Sequence, residues 1–66
     1  MTITLNGEVR SLAPGTAVGA VIVSLGAGAT GTAVAVNGEV VPRSDWPARQ
    51  LADGDSVEVL TAVPGG

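Results

Sequence analysis

The sequence predicts an α+β fold: one mixed sheet of four to five strands with a single helix packed across one face. Three observations carry this expectation. Two Asn-Gly pairs, at positions 6–7 and 37–38, each sit between alternating polar and apolar residues. One stretch, Val18 to Leu25, has helical rather than alternating apolar spacing, and a last alternating segment follows an Asp-Gly-Asp turn.

The elements follow in order. Thr2 to Leu5 alternates, Asn6 and Gly7 supply the dipeptide favoured in two-residue hairpin turns, and Glu8 to Leu12 runs back as a second strand. Pro14 and Gly15 break that pattern and Thr16 is positioned to act as an N-cap. Val18, Val21, Ile22 and Leu25 then fall at the i, i+3, i+4, i+7 spacing of one face of a helix running from about Thr16 to Leu25. Its β-branched residues (Val18, Val21, Ile22, Val23) lower intrinsic helix propensity, so packing against the sheet has to supply most of its stability. A strand is the alternative there. Gly26 through Gly31 reads as a connector, Thr32 to Val36 as a strand, and Glu39 to Val41 as its short return partner before Pro42. Arg43 to Ala52 is irregular and polar apart from Trp46 and Leu51. Asp53, Gly54 and Asp55 form a turn that launches a last strand, Ser56 to Ala62, with Val57 and Val59 on one face. Residues 1–62 thus form one domain and residues 63–66 a flexible tail, with no repeat, linker or second domain.

Composition narrows the function. A chain of 66 residues buries only about 60% of its unfolded surface. Without cysteine or histidine it has no disulfide and lacks the commonest metal ligand, so aliphatic packing must hold it together around Trp46, its one aromatic residue. Lysine and tyrosine are also absent, which removes most side chains that act as nucleophiles or general bases near neutral pH. Autonomous catalysis is therefore not expected. Six acidic residues against three arginines give a net charge of −3, which argues against nucleic acid and anionic membranes as partners. Neither a basic n-region after Met1 nor an apolar run near the ~20 residues of a membrane span occurs, so a soluble, cytoplasmic protein is expected.

Several local patterns invite functional readings. Gly26, Gly28 and Gly31 satisfy G-x-G-x-x-G, but a dinucleotide site needs a helix after the glycines, and Thr32 to Val36 reads as a strand. A phosphate loop needs a lysine, which this chain lacks. Asp53 and Asp55 flank a glycine with no third ligand nearby, as in a solvated turn rather than a metal site. Trp46 fits a core position better than a partner interface, although with Arg43 it is a candidate for such a contact. Arg49, on the other side of Trp46, is an ordinary solubilising residue or a weak anchor for an acidic partner.

The C-terminus differs in kind. Val63, Pro64, Gly65 and Gly66 have no partner in the pattern and should project, reaching about 13 Å when extended. Glycines without side chains can thread a narrow channel and present a carboxylate to another protein's active site. Ten glycines in 66 residues make a chance Gly-Gly ending about a 2% event, so the tail alone is suggestive.

Together the two hairpins, the lone helix, the Asp-Gly-Asp turn and the terminal Gly-Gly resemble the ubiquitin-like β-grasp sulfur carriers, most closely the thiamine-biosynthesis sulfur carrier family, over nearly the whole chain. The stretch AVAVNGEVVPRSDW from Ala33 is similar to the family's strand, turn, short strand and Pro-Arg-x-x-Trp segment, followed by DGD and the terminal GG. The resemblance implies that the first and last strands lie parallel and adjacent in the sheet. It further implies that the chain itself binds no cofactor, and that an E1-like adenylating enzyme uses ATP and Mg²⁺ to adenylate the Gly66 carboxylate. A sulfur-donating persulfide protein then supplies the sulfur that displaces AMP, and thiazole synthase accepts sulfur from the resulting thiocarboxylate. Pro64, Gly65 and Gly66 would thread into these partners. Pro64 departs from the family pattern, because it fixes φ and removes an N–H. The molybdopterin-synthase type of carrier, carriers for other sulfur products, protein-conjugating modifiers and a plain β-grasp binding module remain alternatives.

Overall fold

Where the sequence alternates, the chain extends. The computed structural model describes residues 1–27 and 31–61. It contains β1 (Thr2–Leu5), β2 (Glu8–Ser11), α1 (Val18–Ser24), β3 (Thr32–Val36), β4 (Glu39–Val40), a 3-10 turn (Arg43–Asp45) and β5 (Ser56–Thr61). The five strands form one mixed sheet in the order β2-β1-β5-β3-β4. β1 and β5 run parallel, with Thr4 opposite Ser56 and Leu5 opposite Val57, and every other pairing is antiparallel. This is the central parallel pair that the family resemblance implies. Both hairpins turn at their Asn-Gly pairs with φ positive at both residues, 50° and 82° in the first and 52° and 83° in the second. That geometry matches the twist of the flanking strands and is open to few residues other than Asn, Asp and Gly.

The period of two then decides the core. Ile3 and Leu5 of β1, Val34 and Val36 of β3, and Val57 and Val59 of β5 are buried, and Val18, Val21 and Ile22 of α1 complete the layer with Val41, Trp46 and Leu51. No polar or charged residue among the described ones is buried. Val57 and Val59 share the inner face as the sequence predicts.

The helix is shorter than expected. It spans Val18–Ser24 rather than Thr16 to Leu25, and its N-cap is Ala17 with no side-chain cap. The Thr16 hydroxyl donates instead to the Ala13 carbonyl at 2.6 Å. The first helical N–H groups find their acceptors in a remote loop: Val18 N donates to Arg49 O at 2.8 Å and Gly19 N to Trp46 O at 3.0 Å. Tertiary carbonyls thus satisfy the donors that a local cap would otherwise serve. At the other end Leu25 is the C-cap and 43% exposed, so the predicted inward stripe loses its fourth member. Gly26 follows at φ 70°, with Gly26 N donating to Val23 O at 3.0 Å and Ala27 N to Ile22 O at 3.2 Å. This paired closure is the Schellman arrangement, and it is why the helix stops there. β2 and β4 each end one residue earlier than predicted, at Ser11 and Val40, though Leu12 N still donates to Met1 O and Val41 N to Val34 O, both at 2.8 Å. Ala62, the predicted end of the last strand, lies outside the described residues.

One stability prediction arises here. Gly19 sits inside α1 without a positive φ, and a Cβ placed on it would meet the Trp46 carbonyl at an ordinary 3.5 Å. Gly19→Ala is therefore expected to stabilise the protein by about 0.5–1 kcal/mol, by lowering the entropy of the unfolded chain. A chemical denaturation curve with a lower midpoint than the parent's would contradict it.

Candidate functional site

β5 leads toward the C-terminal Gly-Gly, so what holds β5 sets where the tail begins. The strand is gripped at two points by turn asparagines. At its start, Asn37 N donates to Ser56 O at 2.7 Å, Asn37 Oδ1 accepts from Ser56 N at 2.9 Å, and Asn37 Nδ2 donates to Asp55 Oδ1 at 3.0 Å. Further along, Asn6 Oδ1 accepts from Val59 N at 2.8 Å while Asn6 Nδ2 donates to Val59 O at 3.2 Å. Sequence reasoning assigned both asparagines to their turns and missed these bonds, since the partners lie far away along the chain.

The Asp-Gly-Asp turn is a structural junction. Asp53 Oδ1 accepts from Thr2 N at 2.6 Å, Gly54 N donates to Thr2 O at 2.7 Å, and Thr4 N donates to Asp55 O at 3.0 Å. Asp55 Oδ2 accepts from Ala52 N at 2.7 Å. These bonds match the turn reading of the two carboxylates, and among the described residues no group of three or more acidic side chains could hold a metal ion. The Ala52 amide, and after it the Asn37 carboxamide, hold the Asp55 carboxyl below the usual carboxylate range. The sign follows from linkage. An unfolded aspartate titrates near about 3.9, so Asp55 contributes stability above that value and loses it as pH falls through its lower folded value. Asp55→Asn is expected to be less stable at pH 7 and to lose less further stability as pH falls below about 4. Parallel stability curves for parent and variant below that pH would rule this out.

Trp46 is 5% exposed and its indole Nε1 donates to Val41 O at 2.9 Å. Its place is the core, which corrects the suggestion that it serves a partner interface: a ring so buried offers almost no surface. Arg43, in the 3-10 turn, is exposed and remains a candidate contact residue. Gly26 ends a helix and Gly31 precedes β3, so no helix follows the glycine motif, while Gly28 lies outside the described residues. Pro64, Gly65 and Gly66 also lie outside them.

Two surface features were not singled out from the sequence. On the open face of the sheet, Leu60 and Val40 are 68% and 76% exposed beside Ala33, Ala35 and Glu58, around a shallow depression of about 90 Å³. The signal was present in the alternation: Leu60 occupies an outward position of β5, where a polar residue is the usual choice. A cavity of about 300 Å³ opens between β1, β2 and α1 over Ile3, Leu5, Val21 and Leu25. The charged group lining it, Arg10, is tied to Glu8 at 2.8 Å. Neither feature assembles a nucleophile with a base. Among the described residues no helix is long and apolar enough to cross a membrane.

A five-stranded mixed sheet with a parallel β1/β5 pair, crossed by one helix and ending toward Gly-Gly, defines a ubiquitin-like β-grasp protein. Comparison with known proteins narrows the class. The ThiS family profile matches residues 3–66, and the chain belongs to that family. It is 30% identical over 66 residues to the sulfur carrier protein ThiS of Escherichia coli, covering 100% of both chains. It is 33% identical over 66 residues to a thiazole synthase of Paramagnetospirillum magneticum, of whose length the chain spans 20%. The crystal structure of the thiamine biosynthesis protein ThiS from Geobacter metallireducens superposes with a TM-score of 0.83 at 35% identity, covering 100% of both chains.

Proposed function

We infer that this chain is a sulfur carrier of thiamine biosynthesis whose working group is the Gly66 carboxylate. The observation that carries the reading is the family match itself, which runs through residue 66 and so includes the Gly-Gly. The chemistry of the chain agrees. It has no cysteine to hold a persulfide and no histidine or lysine to act as a base, so the terminal carboxylate is where sulfur would be attached. A carboxylate oxygen is a poor leaving group, whereas an acyl-adenylate is an activated acyl electrophile and the thiocarboxylate that replaces it carries a soft nucleophilic sulfur. The chain acts as co-substrate rather than enzyme. An E1-like adenylating enzyme supplies the activation from ATP and Mg²⁺. The outer sulfur of a persulfide protein displaces AMP to give an acyl disulfide, a partner thiol cleaves that disulfide to leave the thiocarboxylate and a new disulfide, and thiazole synthase receives the sulfur. The likeness to a thiazole synthase over all 66 residues supports that acceptor. Pro64, Gly65 and Gly66 form the segment that enters the partner, with the body of residues 1–62 as its handle and Arg43 as a candidate contact.

Intact mass measurement tests this. After incubation with an adenylating enzyme, Mg-ATP, a persulfide donor and a thiol reductant, the chain is expected to gain about 16 Da, confined to a C-terminal fragment; oxidation of Met1 adds a similar mass at the other end. No tail-confined gain with adenylating enzymes that load related carriers would refute the reading.

A further inference from the structure

We propose that the Asn37–Gly38 turn is a site of spontaneous deamidation in the folded protein, and that the fold protects the same dipeptide at Asn6 and Gly7. The reaction needs no partner, so it holds whether or not the chain carries sulfur. Asparagine is thermolabile through this chemistry. The Gly38 main-chain nitrogen attacks Cγ of Asn37 and forms a new N–C bond; its proton goes to water, and the side-chain nitrogen takes a proton from water and leaves as ammonia. Water then opens the cyclic imide at either carbonyl carbon. One opening leaves an aspartate at position 37, the other an isoaspartate whose main chain runs through Cγ. No atom is oxidised or reduced.

Both dipeptides meet the first requirement, a main-chain nitrogen free to attack. Glycine has no side chain to block the approach, and nothing lies within 4 Å of a Cβ placed on Gly7 or Gly38. Among the described residues neither glycine amide donates a hydrogen bond. The two sites differ in what holds the carboxamide away from its own glycine. Both bonds of the Asn6 carboxamide, at 2.8 and 3.2 Å, end on the main chain of Val59. That residue is buried in the central strand and paired on its other side with Val34. Swinging Cγ back toward Gly7 therefore strips a donor and an acceptor from the middle of the sheet, where water cannot readily replace them. Asn37 is held at the start of the same strand. Its Oδ1 accepts from Ser56 N at 2.9 Å and its Nδ2 donates to Asp55 Oδ1 at 3.0 Å. Asn37 and Ser56 are exposed, so water takes over these bonds once the side chain turns away.

The product changes the junction in which it forms. The Nδ2 that donates to Asp55 is replaced by a carboxylate oxygen, so two carboxylates meet across a 3.0 Å contact that held a hydrogen bond. The Asp55 carboxyl also fixes the Ala52 amide at 2.7 Å. Repulsion there loosens the turn that launches β5, and each reaction weakens the molecule in which it occurs.

Asn6 provides a matched control, with the same dipeptide in the same kind of turn, at φ 50° against 52° for Asn37. Trypsin separates the two sites: the chain has no lysine, and cleavage after Arg10 and Arg43 puts Asn6 in residues 1–10 and Asn37 in residues 11–43. Full-length protein is kept folded at neutral pH below its melting temperature, and in parallel in concentrated urea. Samples are then digested, and the aspartate and isoaspartate forms of each peptide are counted by mass spectrometry. Divided by its own rate in urea, the folded-state rate at Asn37 is expected to exceed that at Asn6 by at least about tenfold, because an exposed turn opens more readily than a central strand. Urea kept below the unfolding transition should raise the Asn6 rate in step with the unfolded population and leave the Asn37 rate nearly flat. A smaller ratio, or two rates that climb together with urea, would overturn the proposal. Asn37→Asp reproduces the product. It should melt below the parent at neutral pH, and at least half of that deficit should vanish when Asp55→Ala is added. A deficit that Asp55→Ala leaves unchanged would remove the repulsion from the account and overturn the proposed weakening.

Discussion

Deleting Gly66 is expected to abolish sulfur loading and to leave the melting temperature where it was. The variant still ends in a glycine carboxylate, so the chemistry of the group is preserved and only its reach is shortened, by about 3.5 Å. In an active site that positions reacting atoms to within about 1 Å, that deficit corresponds to at least a 1,000-fold loss, which a mass measurement reads as no product. Stability should hold for a separate reason. The twelve buried hydrophobic residues among the described ones run from Ile3 to Val59, and Gly66 has no side chain to add to them. Changes remote from a core shift stability by no more than about 0.5 kcal/mol, or a few degrees in a domain of this size. Gly66→Ala should behave alike, since a methyl beside the reacting carbon would obstruct any channel narrow enough to require glycine. A joint collapse of folding and loading would make the tail part of the fold. Loading that survives the deletion would move the reactive group elsewhere, and activity that persists with both glycines removed would favour a plain β-grasp binding module.

How much of this was legible in the sequence depends on how far each interaction reaches along the chain. Both hairpins were legible because an Asn-Gly pair encodes its own geometry in two adjacent residues, and the inward set on β1, β3 and β5 because alternation is local. The limits of α1 were not. Its first donors are met by the carbonyls of Trp46 and Arg49, and no window around Thr16 contains that information. The same holds for Arg43 to Ala52, which looks irregular because its partners are remote: beyond those two carbonyls, Leu51 N donates to Thr16 O at 2.9 Å and Gln50 bridges to Ala17. Asp53, Gly54 and Asp55 were readable as a turn, but not as the junction that fastens the start of β1. The candidate site divides the same way. The Gly-Gly is visible in two letters, and its meaning comes from a family-wide pattern. The asparagine that grips Val59 acts across more than fifty positions and becomes visible only once the sheet is assembled.

Trp46→Ala is expected to unfold the protein or bring it to the edge of unfolding at 25 °C. The ring is 5% exposed and packs in a core of valines, leucines and isoleucines, where truncation of a large aromatic costs about 3–5 kcal/mol. A domain of this length without disulfide or metal has about 3–5 kcal/mol of stability in all, so the loss is comparable with the whole. The residue also acts through polar groups that the truncation disturbs. Its indole N–H serves the buried Val41 carbonyl at 2.9 Å, and its own carbonyl accepts from Gly19 N at 3.0 Å, which ties the first turn of α1 to the loop. Trp46→Phe separates these contributions: it keeps most of the buried area but orphans the Val41 carbonyl, at a cost of about 1–3 kcal/mol. That variant should fold cooperatively and melt about 5–15 °C lower than the parent. Circular dichroism is the suitable probe, because both variants remove the chain's one tryptophan. If Trp46→Ala melted cooperatively within about 1 kcal/mol of the parent, the ring would not be a core element, and its role in partner contact would have to be reopened. If Trp46→Phe matched the parent, packing alone would account for the residue. The graded order, parent above phenylalanine above alanine, is what a buried ring with one satisfied donor requires.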